Sequence, residues 1–307
     1  MDSDESNKPD YSTPDFGSEK IDEEWKKELK VRIEKVEDPK VKEFLEKIQL
    51  SEDDFEIIEL CSKIELLDHN NFEIFLYRGK AYSRLNQNEK ATKSYKNAII
   101  KSEEKLPEVF IEYSKHLVSQ KNYEESLEFC DRAIAIDENY ADAWDRKGMA
   151  LGNLERYNEA LVCFDRAIAI DENYALVNKG TALGRLERYE EALVCYDRVL
   201  EIDENNTRTL TFKGEILGTM EEHQKAIECF DRVLEIDENN VSALGDKGTA
   251  LGNLERYDEA LVCYDRAIAI DENYADALGN KGLALSALER YDEALQCHDR
   301  VLKIELC

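Results

Sequence analysis

The chain has 307 residues, of which 42% are apolar and 36% are Asp, Glu, Lys or Arg. Its 69 acidic and 41 basic side chains give a formal net charge of −28. This charge argues against binding to nucleic acid or to an anionic membrane, because both depend on Lys and Arg. The last of the four prolines is Pro107, so the chain beyond it is free to form uninterrupted helices.

The N-terminal region differs in composition from the rest of the chain. Residues 1–20 are acidic and polar, which predicts a disordered tail. Residues 21–37 carry Trp25, Leu29 and Ile33 at helical spacing and predict an N-terminal capping helix, with a docking helix for a partner as the alternative. Because no signal-like apolar stretch and no run of about 18 apolar residues occurs, we expect a cytoplasmic protein.

The dipeptide Asp-Arg then recurs at an almost constant spacing. All steps between successive pairs are equal except the step from Asp165 to Asp197, which is shorter. In the unit Ala141–Tyr174, two apolar stripes at helical spacing flank a polar stretch that starts at Glu155, which predicts a helical hairpin. One hairpin cannot bury both stripes, but stacked neighbours can. The pairs begin at Asp131, Asp165, Asp197, Asp231, Asp265 and Asp299.

The repeated unit resembles the tetratricopeptide repeat. Trp144, Gly148 and Leu151 match the motif of its first helix, and Ala160 and Phe164 match that of its second. The resemblance implies an all-α fold, an α-solenoid of antiparallel helix-turn-helix repeats stacked into a right-handed superhelix. The expected array covers residues 38–307, divided into 38–71 (degenerate), 72–106, 107–140, 141–174, 175–206, 207–240, 241–274 and 275–307.

The chain departs from the family pattern in three ways. Glutamate replaces the proline that closes each repeat, so we expect Asn and the turn itself to end the helices. The unit 175–206 is two residues short, which predicts a tighter turn between repeats. Lysine replaces the first-helix leucine, and its stem is expected to cover apolar surface. These lysines are Lys147, Lys179, Lys213, Lys247 and Lys281.

Cysteines and histidines do not form a recognisable chemical site in the sequence. One cysteine recurs in the second helix of each unit. Equivalent positions in stacked helices are separated by roughly 10 Å, whereas a disulfide requires two Cα atoms within about 7 Å of each other. We therefore expect reduced, metal-free packing residues, with Cys307 as an exposed exception. No catalytic or cofactor motif occurs, so we expect no enzyme activity, no catalytic residue, no metal ligand and no cofactor. The recurring cysteines are Cys163, Cys195, Cys229, Cys263 and Cys297.

The remaining candidate is a binding surface. In arrays that resemble this one, the first helices line a concave groove, and the exposed positions of that groove are mostly polar here. The mapped positions are Asp142, Asp145, Met149, Asn153, Asn178, Thr181, Arg185, Arg208, Thr211, Glu215, Ser242, Asp246, Thr249, Asn253 and Asn280.

The hypothesis from the sequence is a non-enzymatic scaffold that binds a protein or peptide along this concave face, with a basic ligand as the expected partner. The alternative is a non-catalytic regulatory subunit of an enzyme complex. At the C-terminal end, Gln296, His298 and Lys303 replace apolar residues of earlier repeats, while Leu295 and Leu302 remain apolar. We expect partial capping there and weak self-association through this end.

Overall fold

The computed structural model describes residues 33, 36–172 and 174–305. These residues contain sixteen α-helices and no strand, so the predicted all-α fold is confirmed. The predicted tail 1–20, most of the predicted capping helix 21–37, and Cys307 lie outside the described residues. The helices are α1 Pro39–Leu50, α2 Asp54–Leu67, α3 Phe72–Arg84, α4 Asn88–Lys101, α5 Pro107–Ser119, α6 Tyr123–Ile136, α7 Ala141–Asn153, α8 Tyr157–Ile170, α9 Leu176–Arg185, α10 Tyr189–Ile202, α11 Thr207–Thr219, α12 His223–Ile236, α13 Val241–Asn253, α14 Tyr257–Ile270, α15 Ala275–Ala287 and α16 Tyr291–Glu305.

The chain divides into two compact units after Leu186. Unit 1 contains α1–α9 and unit 2 contains α10–α16. In both units odd-numbered helices are the first helices of hairpins and even-numbered helices are the second. Within each unit, neighbouring helices pack against each other, and first helices also pack against the first helix of the next hairpin. This order is typical of stacked hairpins.

A glycine of the first helix and an aromatic ring of the second helix lie in close contact in hairpins of both units. A Cβ atom on Gly248 would lie 2.5 Å from Cε1 of Tyr264, and one on Gly214 would lie 2.6 Å from Cε1 of Phe230. Both rings are buried. The glycine therefore lets the ring approach the backbone of the first helix, and a larger side chain would separate the two helices.

The turn inside each of five hairpins places a glutamate in the left-handed region. These glutamates have φ values from 58° to 62°, a conformation that usually favours glycine. The backbone N–H of Glu255 donates to the carbonyl of Gly252 at 2.9 Å, which satisfies one free carbonyl of the preceding helix. These residues are Glu155, Glu187, Glu221, Glu255 and Glu289.

The loops between hairpins are closed by aspartate rather than proline. Asp271 is the C-cap of α14, and its Oδ1 accepts a hydrogen bond from the N–H of Asn273 at 3.0 Å. The side chain of Asn240 caps the start of α13 by accepting from the N–H of Ala243 at 3.0 Å. The sequence predicted that Asn and the turn end each repeat. The structure shows that the side chain of the C-cap aspartate also takes part, by accepting a hydrogen bond from the backbone of the loop.

The lysine that replaces the family's leucine forms an ion pair with the preceding hairpin. Lys281 Nζ lies 2.5 Å from Asp265 Oδ1, and Lys147 Nζ lies 2.6 Å from Asp131 Oδ1. The equivalent pair recurs at Lys213 and Lys247, with the same spacing along the chain, and at Lys179 of the short repeat, whose partner Asp165 is two residues nearer in sequence. The charge of each lysine thus has a specific partner, in addition to the predicted covering by its stem.

The short repeat in unit 1 loses almost one turn of its first helix. Helix α9 has 10 residues, whereas α7 has 13. Ala175, just before α9, takes a left-handed φ of 57°, and the hydroxyl of the buried Tyr174 donates to Asp142 Oδ1 at 3.2 Å. The two-residue deletion is therefore accommodated by a sharp backbone turn.

Candidate functional site

The first helices of each unit form a surface that we call the first-helix face. In unit 1 this face carries a continuous row of ion pairs from α3 to α7, the charge ladder. Glu112 Oε2 lies 2.9 Å from Lys80 Nζ, and Glu112 Oε1 lies 3.0 Å from Lys115 Nζ. Asp142 continues the row, with Oδ2 3.4 Å from Lys115 Nζ and Oδ1 2.9 Å from Arg146 Nε. The ladder therefore connects three successive hairpins.

The ladder keeps its carboxylates charged in spite of their burial. Burial by itself would raise the pKa of Glu112, but Lys115 and Lys80 outweigh it and hold this pKa at about 2. Burial would also raise the pKa of Asp142, yet Lys115 and Arg146 lower it. Burial would lower the pKa of Lys115, but Asp142 and Glu112 outweigh this effect and raise it. These charges form a compensated structural network.

Four predicted groove residues of unit 1 are buried, which corrects the expectation that they are exposed. Asp142 is 2% exposed and Met149 1%, while Asp145 and Asn178 are fully covered. Asn178 Nδ2 donates to Asp145 Oδ1 at 3.0 Å, joining α9 to α7. The physical reason is the close packing of adjacent first helices, which places these side chains between the helices.

The other predicted residues of unit 1 are more accessible. Asn153 is half-buried, and its Nδ2 donates to the carbonyl of Met149 at 3.0 Å. Thr181 is also half-buried and donates to the carbonyl of Val177 at 2.9 Å. Arg185 is exposed. Among the predicted residues of this unit, only Asn153, Thr181 and Arg185 remain available at the surface.

The first-helix face of unit 2 is more open. Among its predicted residues, Glu215, Ser242, Thr249 and Asn253 are exposed. Asn280 Nδ2 donates to Thr249 Oγ1 at 3.1 Å, which links α15 to α13. The half-buried members of the predicted set are Arg208, Thr211, Asp246 and Asn280. The structure thus brings the predicted residues of α13 and α15 together on one accessible polar surface.

This surface has an acidic centre that the sequence identified only in part. Burial, together with the nearby carboxylate of Asp276, raises the pKa of Asp246 to about 6. The hydroxyl of Tyr274 lies over Gly245, where a Cβ would be 2.8 Å from it. Burial and these two aspartates raise the pKa of Tyr274 to about 12. The repeat register could have identified Asp276, since it occupies the position of Asp142.

A buried histidine was also missed by sequence reasoning. His116 is 3% exposed, with Nδ1 2.9 Å from Ser83 Oγ and Nε2 3.2 Å from Thr92 Oγ1. The ring lies beside Tyr95, with centroids 5.4 Å apart, and burial lowers its pKa. His116 on α5 therefore fixes the contact with α3 and α4 as a neutral group.

The recurring cysteines are packing residues of the second helices. All five are buried with free thiols, and burial raises the pKa of the Cys163 thiol to about 11. A high pKa suppresses the reactive thiolate. Within the described ranges, no group of three or more His, Cys, Asp or Glu side chains is arranged to hold a metal ion. None of the helices described has the length and apolar character needed to cross a membrane.

Solved structures resemble the fold over much of the chain. A chain of the APC/C hetero-tetramer Cut9–Hcn1 matches with a TM-score of 0.63 at 14% identity, over 82% of this chain and 50% of that chain. This chain thus spans about half of that protein's length. A tetratricopeptide repeat protein from Parabacteroides merdae matches with a TM-score of 0.61 at 13% identity, over 76% and 93% of the two chains. The structure of pilF from Pseudomonas aeruginosa matches with a TM-score of 0.58 at 21% identity, over 64% of this chain and 91% of that chain.

The comparison of sequences is more specific. No curated protein sequence matches the chain. Family models described as tetratricopeptide repeat match residues 141–174, 174–206, 241–274 and 275–305, and a second model of the same description matches 207–240. Together they cover more than half of the chain. The chain therefore belongs to the tetratricopeptide repeat family.

Proposed function

We propose that the protein is a non-catalytic scaffold that binds a segment of a partner protein along the first-helix face of unit 2. The observation that carries this proposal is the accessible polar surface of α13 and α15, with Asp246 and Asp276 at its centre. The raised pKa of Asp246 means that its negative charge is poorly compensated within the chain. A surface of this kind favours a ligand that brings a positive charge.

The proposed partner segment carries a Lys or Arg side chain toward Asp246. Exposed Asn253 and Ser242 offer hydrogen-bonding groups on both sides of that position along α13. Such groups can hold the backbone of an extended segment or the polar side of a helix. The charge ladder of unit 1 gives a contrast, because its carboxylates already have lysine and arginine partners.

The proposal is tested by site-specific photo-cross-linking. A benzophenone amino acid at Asn253 is expected to capture a partner that the same group at Val262 does not, since Val262 is also accessible, 60% exposed, but lies on second helix α14. With the purified partner, Asn253→Ala and Asp246→Asn are each expected to weaken binding about tenfold without lowering Tm. Equal capture at both positions, or full affinity in both variants, would reject the proposed surface.

The same experiment distinguishes the alternative function. If the captured protein is an enzyme whose activity changes on binding, the chain is a regulatory subunit rather than a general scaffold. The proposal places the protein in the cytoplasm, where a reducing environment suits its buried free thiols. It also assigns no role in binding nucleic acid, because the net charge of −28 opposes contact with phosphates.

A second part of the proposal is weak self-association through the C-terminal hairpin, α15 and α16. Gln296 and Lys303 are exposed there. His298, by contrast, lies inside its own hairpin, since a Cβ on Gly282 would be 2.6 Å from its Cε1. His298 therefore fills the aromatic position of the hairpin and does not reduce the apolar character of the outer surface.

A further inference from the structure

The hairpins 141–174 of unit 1 and 241–274 of unit 2 are nearly identical in sequence, except on the first-helix face. From Ala150 and Ala250 onward they differ at only two aligned pairs of residues. Most of the other differences lie on the first-helix face. The chain therefore contains an internal comparison of two such faces on almost the same hairpin. The differing face positions pair Asp142 with Ser242, Asp145 with Gly245, Arg146 with Asp246 and Met149 with Thr249.

The tyrosine that ends each of these hairpins has a different environment in the two units. Tyr174 is 7% exposed, and its hydroxyl donates to Asp142 Oδ1 at 3.2 Å. In unit 2 that acceptor is lost, because Ser242 occupies the position of Asp142. Tyr274 is half-buried, and its hydroxyl forms no hydrogen bond with any residue that the structure describes and remains accessible. The same tyrosine thus has a structural hydrogen bond in one hairpin and a released hydroxyl in the other.

Gly245 on α13 makes room for the Tyr274 hydroxyl. A Cβ on Gly245 would lie 2.8 Å from this hydroxyl, so a larger residue would displace it, whereas unit 1 has Asp145 at the same repeat position. Burial, together with nearby Asp246 and Asp276, raises the pKa of Tyr274 to about 12. The phenol therefore stays protonated at neutral pH and keeps a hydrogen that it can donate beside the two aspartates.

We propose that the Tyr274 hydroxyl binds a backbone carbonyl of the partner segment, next to the Lys or Arg side chain that Asp246 attracts. This contact rests on the function proposed above and specifies its ligand. Ionised carboxylates only accept hydrogen bonds, so Asp246 and Asp276 can hold a cation but not a carbonyl group. The phenol supplies the donor that the two carboxylates lack. The site therefore selects a basic residue within a polypeptide over a free amine, which has the charge but no carbonyl.

Two probes that share one cation separate the two contacts. The first is n-butylammonium, which has the ammonium group of lysine without a carbonyl. The second is an acetylated pentapeptide amide with one central lysine among alanines. Chemical-shift titrations of the full chain are expected to show about fivefold tighter binding of the pentapeptide than of n-butylammonium. Tyr274→Phe is expected to abolish this preference by weakening the binding of the pentapeptide alone, because only the pentapeptide offers a carbonyl to the hydroxyl.

Tyr174→Phe is the matched control, because it removes the same hydroxyl where that group is hydrogen-bonded inside unit 1. It is expected to lower the Tm and to leave both affinities unchanged, whereas Tyr274→Phe should leave the Tm unchanged. Equal binding of the two probes to the wild type, or full pentapeptide affinity in Tyr274→Phe, would overturn the role of the hydroxyl. Asp246→Asn is expected to weaken the binding of both probes. If it weakens neither, the proposed binding surface itself is rejected.

Discussion

The five glutamates in the hairpin turns combine an unfavourable backbone conformation with a hydrogen-bonding task that recurs along the array. A left-handed φ costs a residue with a Cβ about 1 kcal/mol relative to glycine. The conformation is still needed at Glu155, Glu221, Glu255 and Glu289, because it lets the backbone N–H of each satisfy the end of the first helix. The turn glutamates are therefore positions where the fold is not at its stability optimum.

Glu255→Gly is expected to stabilise unit 2 by about 0.5–1 kcal/mol, since it removes the left-handed strain at an exposed position. Glu228→Gly is the matched control, because Glu228 is exposed in the middle of α12 and glycine there should cost about 0.5–1 kcal/mol. Urea denaturation of the two variants measures both effects. A loss of stability in Glu255→Gly would show that the turn does not store this strain.

Asp246 provides a prediction with a defined pH dependence. Its folded pKa of about 6 lies above the ordinary value near 3.8, so protonation favours the folded state. That contribution is fully present below about pH 4 and is lost as the pH rises through 6. Asp246→Asn is therefore expected to stabilise the protein by about 1–2 kcal/mol at pH 8 and to have little effect at pH 4.

Thermal unfolding of Asp246→Asn across this pH range measures the difference. Asp258→Asn, an exposed change on α14, is the control and should follow the wild type at every pH. A constant difference between wild type and Asp246→Asn from pH 4 to pH 8 would contradict the explanation. A stabilising change that also weakens partner binding would be typical of a residue kept for function.

Sequence reasoning could select candidate residues on the first helices but could not give their depth. The register of the repeat identified the side of the first helix on which Asp142, Asp145 and Asn178 lie. It could not show that Asn178 and Asp145 meet between two helices at 3.0 Å. Helical periodicity describes directions around one axis, whereas burial depends on the distance to the neighbouring helix.

At the scale of the helices, two glycines of α11 are expected to have opposite effects on stability. Gly214 lies under Phe230, where a Cβ would be 2.6 Å from the ring, whereas nothing lies within 4 Å of a Cβ on Gly218. Gly214→Ala is expected to destabilise the protein by about 1–3 kcal/mol through overpacking. Gly218→Ala should stabilise it by about 0.5–1 kcal/mol, because alanine is the better helix former. Denaturant unfolding of both variants checks the pair, and the same sign for both would contradict it.

The hairpins themselves were predictable because their two apolar stripes repeat in register with the turn. The side-chain contacts between one hairpin and the next were harder to predict. The exchange of leucine for lysine at Lys281 suggested a side chain that covers apolar surface, but its charge pairs with Asp265 on a helix of the preceding hairpin. The sequence contains both residues in each of these repeats. Only the stacking of one hairpin on the next brings them within 2.5 Å.

At the scale of the whole molecule, negative charge dominates. The ion pairs between hairpins are partly exposed, as are the pairs of Arg256 with Glu259 and of Arg290 with Glu293 in the turns. Such pairs contribute little to stability in water and are weakened by salt. The net charge of −28 is large, and repulsion among the excess carboxylates opposes the folded state throughout the chain.

Salt therefore has two opposite effects, and their balance can be predicted. Raising the ionic strength from about 20 mM to about 300 mM shortens the Debye length from roughly 20 Å to roughly 6 Å, which screens repulsion between distant carboxylates but reaches the close ion pairs much less. We expect the Tm to rise by a few degrees with sodium chloride. Differential scanning calorimetry at constant pH measures this change, and equal osmolality of sucrose controls for effects other than screening. A fall in Tm would mean that the loss of the exposed ion pairs outweighs the relief of repulsion from the net charge of −28.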